Sequence, residues 1–410
     1  MYCTICPPQR LRATITLPSS KSISNRLLII NRLANSTVLP QNISDCDDTV
    51  AMIKALRAPQ AVTNIGAAGT AMRFLTAYFA ATPGTTILTG SARMQQRPIN
   101  ELVDALKKIG AIIAYEKTEG YPPLRIEGRV LEGGEITMAG NISSQYTSAL
   151  LMIAPILKKG LRLRLTGKIT SRPYIDMTLQ LMKEFGAIAE WKNEQTLEVA
   201  PQGYSPKPFL IENDWSAASY WYEMIALSND QNAEVRLPGL FNESSQGDAF
   251  VKEMFLPLGV RTDYKDGMII LRKGEVQQEQ MDLPMEKQPD LAQTIAVTCA
   301  MLGRPFRLTG LHTLRIKETD RLLALQTELG KLGINIDISD DDTLSWDGTM
   351  HKPQDDIIIE TYDDHRMAMS FAPTALRHSG ISINHPEVVT KSYPKYWEDL
   401  KTAGFTISTL

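Results

Sequence analysis

The chain has 410 residues, too many for a single small module, and a usual size of about 150 residues per domain suggests two or three domains. It carries 43 lysines and arginines against 46 aspartates and glutamates, for a net charge of −3. Because there is no overall basic field, we expect no nucleic-acid partner and no attraction to an anionic membrane. With 43% hydrophobic and 22% charged residues, the composition is that of a globular protein rather than a disordered one.

The first residues, MYCTICPPQRLRATITLPSSKS, lack an apolar core of signal-peptide length. No window approaches the ~18 uncharged apolar residues of a membrane span, so we expect a cytoplasmic protein without a membrane partner. The four cysteines are too few for a disulfide framework, and Cys3 and Cys6 have no second pair at metal-ligand spacing. The five histidines stand singly; we expect no metal site, and a hydrogen-bonded structural role for His365.

An internal repeat organises the chain. Five amphipathic stretches end in a glycine followed by an apolar residue, a pattern that predicts a helix closed by a left-handed C-cap. These glycines fall between 71 and 76 residues apart, and DDTVAMIKALRAP supplies a shorter first copy without the glycine, which makes six copies. The capping glycines are Gly110, Gly186, Gly259, Gly333 and Gly404.

Roughly thirty residues before each amphipathic helix, a second type of helix begins with Ser, Gly or an acidic residue. Segments such as SALLMIAP and TIAVTCAML are apolar nearly all round, which predicts burial in a domain interior. Short β-like pieces such as TTILTG and LRLRLTG lie between the helices. We therefore predict an α/β domain of three repeats, made twice, with the break near Ile211 to Asp214.

The densest chemical signal is SSKSISNR, from Ser19 to Arg26, directly before an apolar run. A serine-rich N-cap with solvated charges would explain it alone. However, Lys21 and Arg26 flank a helix start that is rich in hydroxyl donors. Cations, free backbone N–H groups and hydroxyls are together what a phosphate group needs, so this segment is a candidate phosphate site.

Three further segments of the first half are weaker signals. GAAGT (66–70) matches neither a dinucleotide fingerprint nor a P-loop, and a tight turn into a helix would explain it. Arg97 could equally be a surface charge. ISSQ (142–145) repeats the hydroxyl-rich helix start and offers neutral hydrogen bonds to a polyol or a phosphate, although capping alone would explain its serines.

Two charged runs of the second half stand at predicted helix starts: LRIKETDR (314–321) and YDDHR (362–366). Charge runs are usually solvated faces. Glu318 and Arg321, however, are three residues apart at a helix start, where an acid can be held by cations. Asp290, in QPDLAQT, occupies the place of YDDHR one repeat earlier and is a candidate base.

Together these segments supply more positive charge than one phosphate requires. They suit two anionic small molecules bound side by side, with Asp290 and Glu318 available for proton transfer. Both halves contribute, so we expect the site in a cleft that closes around its ligands. The seven cations are Lys21, Arg26, Arg97, Lys317, Arg321, Arg366 and Lys391.

Eight short motifs follow one another in a specific order: SKSISNR, AGTAMR, RPI, SSQ, SRPYIDMT, KETDR, DDHRMAM and KSYP. In this order the chain resembles the 5-enolpyruvylshikimate-3-phosphate (EPSP) synthase family over essentially its full length. The resemblance implies the two-domain enolpyruvyl transferase fold, with six βαβαββ-type repeats, three per domain, and an active site in the interdomain cleft. We expect one domain at residues 13–212 and the other at residues 1–12 plus 213–410.

The resemblance also implies an activity: transfer of the enolpyruvyl group of phosphoenolpyruvate to the 5-hydroxyl of shikimate 3-phosphate, in the shikimate pathway to chorismate and the aromatic amino acids. It implies no cofactor, and we expect a monomer. The implied roles are a base at Asp290, an acid at Glu318 and a possible participant at Lys21. The implied shikimate 3-phosphate ligands are Lys21, Ser22, Arg26, Ser143, Ser144, Gln145, Ser171, Asp290, Thr313 and Lys317. The implied phosphoenolpyruvate ligands are Lys21, Gly69, Arg97, Gln145, Arg321, Arg366 and Lys391.

The sequence departs from the usual family pattern at three positions. Ala67 stands where an Asn usually precedes Ala-Gly-Thr, Thr313 replaces an Asn two residues before Arg315, and Phe74 replaces a common Pro. These changes bear on phosphoenolpyruvate contacts, on a shikimate contact and on glyphosate sensitivity, respectively.

Two alternatives have the same cationic site. A UDP-N-acetylglucosamine enolpyruvyl transferase would share fold and donor, but that family lacks the SSQ and KETDR combination and commonly uses a loop cysteine. A noncatalytic anion-binding protein is disfavoured because two extra carboxylates, Asp290 and Glu318, would weaken anion binding.

Overall fold

The structure, a computed structural model, describes residues 2–58 and 60–409. The chain divides into two compact units. The N-terminal unit is Ser19–Ile211, and the C-terminal unit comprises Met1–Pro18 and Glu212–Leu410. Each unit has its own cluster of buried apolar side chains.

Two strands precede the N-terminal unit along the chain but belong to the C-terminal unit: β1 (Tyr2–Cys6) and β2 (Arg12–Thr14). The helices of the N-terminal unit are α1 (Lys21–Leu33), α2 (Asp47–Arg57), α3 (Gly69–Ala81), α4 (Asn100–Lys108), α5 (Ser144–Ile153) and α6 (Arg172–Glu184). Its strands are β3 (Val62–Asn64), β4 (Gly84–Thr89), β5 (Ile112–Tyr115), β6 (Leu124–Gly128), β7 (Gly134–Ala139), β8 (Leu161–Thr166), β9 (Ala189–Asn193) and β10 (Thr196–Val199).

The remaining elements lie in the C-terminal unit. Its helices are α7 (Trp215–Leu227), α8 (Val251–Phe255), α9 (Ala292–Met301), α10 (Arg321–Lys331), α11 (His365–Phe371) and α12 (Tyr396–Thr402). Its other strands are β11 (Glu234–Pro238), β12 (Val260–Lys265), β13 (Met268–Lys273), β14 (Met281–Pro284), β15 (Phe306–Thr309), β16 (Asp337–Ser339), β17 (Thr343–Trp346), β18 (Ile358–Ile359), β19 (Ser382–Asn384) and β20 (Thr406–Thr409).

One sheet design recurs five times among the described residues. Each sheet has four strands, with one parallel pair at an edge and two antiparallel pairings beyond it. The N-terminal unit holds the sheets β3-β4-β6-β5 and β7-β8-β10-β9. The C-terminal unit holds β12-β13-β11-β2, β14-β15-β17-β16 and β18-β19-β1-β20.

These sheets and their helices are copies of a β-α-β-α-β-β unit. The run β3-α3-β4-α4-β5-β6 is one copy, and β18-α11-β19-α12-β20 is another, completed by β1 from the start of the chain. The first copy is reduced to α1, α2 and a single parallel bridge between Gln41 and Leu210.

The first helix of each copy is the buried one. In α3, twelve of thirteen residues are buried, and α5 and α9 are buried over Tyr146–Ile153 and Ala292–Ala300. Their nearly uniform apolarity predicts this burial, and the structure confirms it. The buried helices position the site, because their N-terminal residues are the motif residues of the sequence.

The predicted capping glycines are also confirmed. Gly110, Gly186, Gly259, Gly333 and Gly404 all have positive φ, between 77° and 101°. A residue with a side chain is strained in this region, which is why these five amphipathic helices end at a glycine.

Candidate active site

In the N-terminal unit, α1 begins at the motif SKSISNR. The Ser20 side chain accepts a hydrogen bond from the Ile23 amide at 3.4 Å and so caps the helix. Lys21 is the first helical residue, and its Nζ lies 3.6 Å from Asp48 Oδ2 at the start of α2. Sequence reasoning missed Asp48, although the two consecutive acids of DDTV were a signal for a charge partner near this helix end.

Arg26 lies one turn further along α1 and is 2% exposed. Its Nε donates to Thr178 Oγ1 at 2.7 Å and its Nη1 to the Ser22 carbonyl at 2.9 Å. Its Nη2 donates to Ser148 Oγ and to the Tyr174 carbonyl at 3.2 and 3.3 Å. Burial lowers the pKa of Arg26 to about 10, which leaves it charged at neutral pH. A guanidinium has five N–H groups, so one on Nη1 is left for a ligand.

Gly69 begins α3, and Arg97 follows a short 3-10 turn at Met94–Gln96. A Cβ added to Gly69 would lie 2.7 Å from Arg97 Nη1, so the guanidinium packs directly against the glycine. Arg73, on the same helix, donates to the carbonyls of Gly69 and Pro98 at 3.2 Å each and ties the two segments together.

The predicted polar ligands of the N-terminal unit also stand at helix starts. Ser143 caps α5 by accepting from the Gln145 amide at 3.3 Å, and Gln145 Nε2 donates to Thr70 Oγ1 at 3.3 Å. Ser144 is the first residue of α5. Ser171 precedes α6 with φ of 53°, a left-handed conformation that a serine rarely adopts.

In the C-terminal unit, Asp290 is surrounded by cations. Its Oδ2 accepts from Arg366 Nη2 at 3.0 Å, and its Oδ1 accepts from Arg321 Nη1 at 3.1 Å and from Lys317 Nζ at 3.4 Å. Burial alone would raise the pKa of Asp290, but the charges of Arg366, Lys317 and Arg321 hold it well below its usual range. Asp290 is therefore ionised at neutral pH.

Glu318 is held by two of the predicted cations. Lys391 Nζ donates to its Oε1 at 2.7 Å, and Arg321 Nη2 donates to its Oε2 at 3.1 Å. The three-residue spacing of Glu318 and Arg321 at the start of α10 predicted this ion pair, and the structure confirms it.

Sequence reasoning missed Asp364, the fully buried cap of α11. It accepts from Arg321 Nε at 2.7 Å, from Arg321 Nη2 at 3.3 Å and from the Arg366 amide at 2.9 Å. An acid two residues before Arg366 at a helix start was an available signal. His365 is 2% exposed, with Nδ1 3.6 Å from Asp364 Oδ1.

The C-terminal cluster thus contains four cations and three carboxylates within one network. Without a ligand, the carboxylates hold Arg321, Arg366 and Lys391 in place. An incoming anion would replace part of this internal pairing with charge-assisted bonds of its own. Thr313, in the 3-10 turn His312–Ile316, has a buried hydroxyl with no hydrogen-bond partner among residues 2–58 and 60–409.

The predicted residues form one set in each unit. Those of the N-terminal unit are Lys21, Ser22, Arg26, Gly69, Arg97, Ser143, Ser144, Gln145 and Ser171. Those of the C-terminal unit are Asp290, Thr313, Lys317, Glu318, Arg321, Arg366 and Lys391, all but Thr313 in the network above.

Residues 2–58 and 60–409 contain neither a metal-binding cluster nor a membrane-spanning helix. No group of three or more His, Cys, Asp or Glu side chains is arranged to hold a metal ion. No helix in this part of the chain combines the length and the apolarity needed to span a bilayer.

The sequence model of the EPSP synthase (3-phosphoshikimate 1-carboxyvinyltransferase) family matches residues 5–58 and 57–400. A 3-phosphoshikimate 1-carboxyvinyltransferase of Bacteroides fragilis is 57% identical over 400 residues, covering 98% of this chain and 97% of the relative. The enzyme of that name from Pseudoalteromonas translucida is 36% identical, covering 97% and 98%.

Solved structures agree on the fold. An EPSP synthase from Acinetobacter baumannii superposes with a TM-score of 0.76 at 22% sequence identity and covers both chains completely. This likeness confirms the predicted two-domain α/β fold class. By the extent of the family match and of the sequence identity, the chain belongs to the EPSP synthase family.

Proposed function

We propose that this chain is a 3-phosphoshikimate 1-carboxyvinyltransferase. It transfers the enolpyruvyl group of phosphoenolpyruvate to the 5-hydroxyl of shikimate 3-phosphate and releases phosphate, a step of the shikimate pathway to chorismate. Family membership and the names of the relatives support this activity. The structural observation that carries it is one network of charges around two carboxylates. Arg321 pairs with both Asp290 and Glu318, Arg366 pairs with Asp290, and Lys391 pairs with Glu318.

Each of the two substrates is bound by motif residues of both sets. Seven residues of the N-terminal unit bind shikimate 3-phosphate, together with Asp290, Thr313 and Lys317 of the C-terminal unit. The seven are Lys21, Ser22, Arg26, Ser143, Ser144, Gln145 and Ser171. Phosphoenolpyruvate is bound by Lys21, Gly69, Arg97 and Gln145 of the first set and by Arg321, Arg366 and Lys391 of the second.

Several local features support these assignments. Arg26 Nη1 donates to the Ser22 backbone carbonyl at 2.9 Å, which holds the guanidinium beside the start of α1. The Thr313 hydroxyl, which is buried and meets no partner in the described part of the chain, suits a polar ligand, since a buried hydroxyl without a partner is unfavourable. The phosphoenolpyruvate set is cationic, as a donor with a carboxylate and a phosphate requires.

The chemistry follows in two steps. In the addition, the 5-hydroxyl oxygen bonds to C2 of phosphoenolpyruvate and Asp290 accepts the hydroxyl proton. Glu318 takes up a proton from solvent when the bound donor draws Lys391 and Arg321 away from it, and it delivers that proton to C3 to give a tetrahedral adduct. In the elimination, the bond from C2 to the phosphate oxygen breaks, C3 returns its proton to Glu318, and phosphate leaves with a proton from Asp290. The atoms balance without a cofactor. Each carboxylate contributes about 10²- to 10⁴-fold in rate as a general acid or base.

The low pKa of Asp290 fits an acceptor that is ionised before substrate arrives. When anionic substrates share Arg321, Arg366 and Lys317, the positive charge acting on Asp290 falls. Its proton affinity then rises toward that of an effective base. Lys21, paired with Asp48, is a further participant whose charge is already partly balanced.

The deciding experiment measures phosphate release with phosphoenolpyruvate in the presence and absence of shikimate 3-phosphate. Release that depends on shikimate 3-phosphate supports the proposal. Release that depends instead on UDP-N-acetylglucosamine would identify the related transferase, and no release with either acceptor would identify an anion-binding protein.

The role of Asp290 is tested by Asp290→Asn, which keeps the shape and removes the base. We expect kcat to fall by about 10²-fold or more. Asp282→Asn is the matched control, because Asp282 is exposed on β14 and pairs only with Arg307 at 3.7 Å among the described residues. Turnover of Asp290→Asn close to the parent value would contradict the role.

We also propose that the enzyme works as a cytoplasmic monomer without a nucleic-acid partner. The near-zero net charge of −3 supports the last point, because nucleic-acid binding requires neutralisation of many phosphates. Light scattering coupled to gel filtration measures the molecular mass directly, and a mass of twice 45.6 kDa would overturn the monomer.

A further inference from the structure

A buried carboxylate, Glu328, joins α10 to the segment that carries Asp364 and Arg366. Its side chain is fully buried. Oε1 accepts from the Tyr362 hydroxyl at 2.6 Å, and Oε2 accepts from the Glu360 amide at 3.0 Å and from Lys331 Nζ at 2.6 Å. None of these groups takes part in the proposed chemistry.

The segment held by Glu328 has an unusual backbone. Tyr362 and Asp363 have φ of 53° and 55°, so two consecutive residues with side chains adopt the left-handed conformation. Such residues persist only where their surroundings fix them. The Asp364 amide donates to the Thr361 carbonyl at 2.8 Å and closes the turn, which leads directly into the cap of α11.

Helix α10 and this segment are therefore joined at two levels. Arg321, the first residue of α10, binds Asp364 at 2.7 Å. Glu328 lies seven residues later, about 10 Å along the helix axis, and binds Tyr362 and the Glu360 amide. A helix tied at two points two turns apart is restrained against both sliding and tilting relative to the segment.

This restraint acts on the spacing of two guanidinium groups. Arg321 extends from the start of α10 and Arg366 from the segment, and they meet the two oxygens of Asp290 at 3.1 and 3.0 Å. A change in the angle of α10 against the Tyr362 turn would alter the separation of these cations. A two-cation site for one small anion depends on that separation.

We propose that Glu328 and Tyr362 are positioning residues that set the spacing of Arg321 and Arg366 for the anionic enolpyruvyl donor. They touch neither substrate and act through the turn at Tyr362 and Asp363. The identity of the donor rests on the proposed function, whereas the positioning of the two arginines rests on the geometry alone.

The first test is Tyr362→Phe, which removes one hydroxyl. Tyr362 is 38% exposed, so the variant leaves no empty core space. We expect the KM for phosphoenolpyruvate to rise by about 5- to 20-fold, with kcat and the KM for shikimate 3-phosphate within about twofold of the parent.

Tyr222→Phe is the matched control. It removes a hydrogen bond of 3.0 Å between the Tyr222 and Thr262 hydroxyls in the same unit, away from the cluster, and should leave the kinetic constants unchanged.

The second test does not depend on activity. Phenylglyoxal modification of Arg366, mapped by mass spectrometry, should become about threefold faster in Tyr362→Phe and in Glu328→Gln than in the parent or in Tyr222→Phe, because a looser turn exposes the guanidinium.

The proposal is overturned if both variants match the parent in the phosphoenolpyruvate KM and in the modification of Arg366. It is also overturned if kcat and both KM values change together, since that pattern reports a general loss of structure. A parent protein without phosphate release that depends on shikimate 3-phosphate would contradict the proposed function instead, and the modification rates would still decide the positioning role.

Discussion

At the scale of single residues, Gly69 leaves no room for a side chain beside Arg97. We expect Gly69→Ala to displace the Arg97 guanidinium, because the new methyl group would lie 2.7 Å from Nη1. The KM for phosphoenolpyruvate should rise by about tenfold or more, with a smaller effect on shikimate 3-phosphate. Steady-state kinetics with each substrate varied in turn measure both constants.

Gly330→Ala is the control for this change. Gly330 lies within α10, and the nearest atom that an added Cβ would meet is Asn335 Oδ1 at 4.0 Å. A helical glycine with open space around it accepts a methyl group, so the KM values should stay at those of the parent. Equal KM values for phosphoenolpyruvate in both variants would show that Arg97 does not bind phosphoenolpyruvate.

Asp248 gives the protein a pH dependence. It is 3% exposed, accepts a hydrogen bond from the Ser216 hydroxyl, and has its pKa raised to about 6, first by burial and then by the charge of Asp290. Because the folded protein holds this proton more tightly than the unfolded chain, its contribution to stability is complete below about pH 4 and is lost as the pH rises to about 6.

We therefore expect Asp248→Asn to become more stable relative to the parent between pH 4.5 and pH 7, by on the order of 3 kcal/mol at most. Denaturant unfolding of both proteins at the two pH values measures the difference. Asp282→Asn, on an exposed strand position, should show no such change. A stability difference for Asp248→Asn that is equal at both pH values would refute the prediction.

The sequence indicated the cations of the site more readily than their partners. Lys317, Glu318 and Arg321 lie within five consecutive residues at the start of α10, so their proximity follows from their closeness in sequence. Asp364 meets Arg321 across 43 positions of sequence, and they come together because α10 and α11 both pack against α9. Phe74 was notable as a departure from the family, but its contact with Arg26 depends on how α1 packs on α3.

At the scale of elements, that contact couples two helices. The Phe74 ring of α3 is fully buried, with the Arg26 guanidinium of α1 5.3 Å from its centroid. We expect Phe74→Leu to destabilise the protein by about 1 to 3 kcal/mol, through lost packing and a lost cation–π contact. The KM for shikimate 3-phosphate should also rise, because the Arg26 guanidinium loses the aromatic ring that packs against it.

Phe79→Leu is the matched variant, with the same substitution on the same helix and no cation over the ring among the described contacts. Thermal unfolding should show a loss of stability in both variants, whereas kinetics should show an altered KM only in Phe74→Leu. An unchanged KM for shikimate 3-phosphate in Phe74→Leu would mean that the ring serves packing alone.

Elements with local signals were predictable. A glycine at the end of an amphipathic run predicts a left-handed backbone at that position, and all five capping glycines have positive φ. The first copy was different: its two helices were visible in the sequence. The sequence did not indicate that, among the described residues, the copy has only the Gln41–Leu210 bridge in place of a sheet. Strand pairing is set by partners far along the chain, about which a short strand says little.

At the scale of the whole molecule, the α/β fold class and the family were predictable from repeat and motif order, and the comparisons confirm both. The domain limits at residues 13 and 212 remain a prediction. In the structure, β2 pairs in parallel with β11 of the C-terminal unit. Residues up to Pro18 accordingly belong to that unit. Pairing across 222 positions, such as Arg12 with Glu234, has no signature in either segment alone.

The position of β1 has a consequence for how the protein is made. It is an interior strand of its sheet, paired with β19 at Cys3 and Ile383 and with β20 at Ile5 and Ile407. A ribosome adding about 5 to 20 residues per second needs roughly 20 to 80 s to produce those partners after β1 has emerged. Residues 19–211 are contiguous and can fold within that interval. Meanwhile the backbone N–H and C=O groups of β1 have no strand partner, so the sheet to which β1 belongs can form only when synthesis is nearly complete.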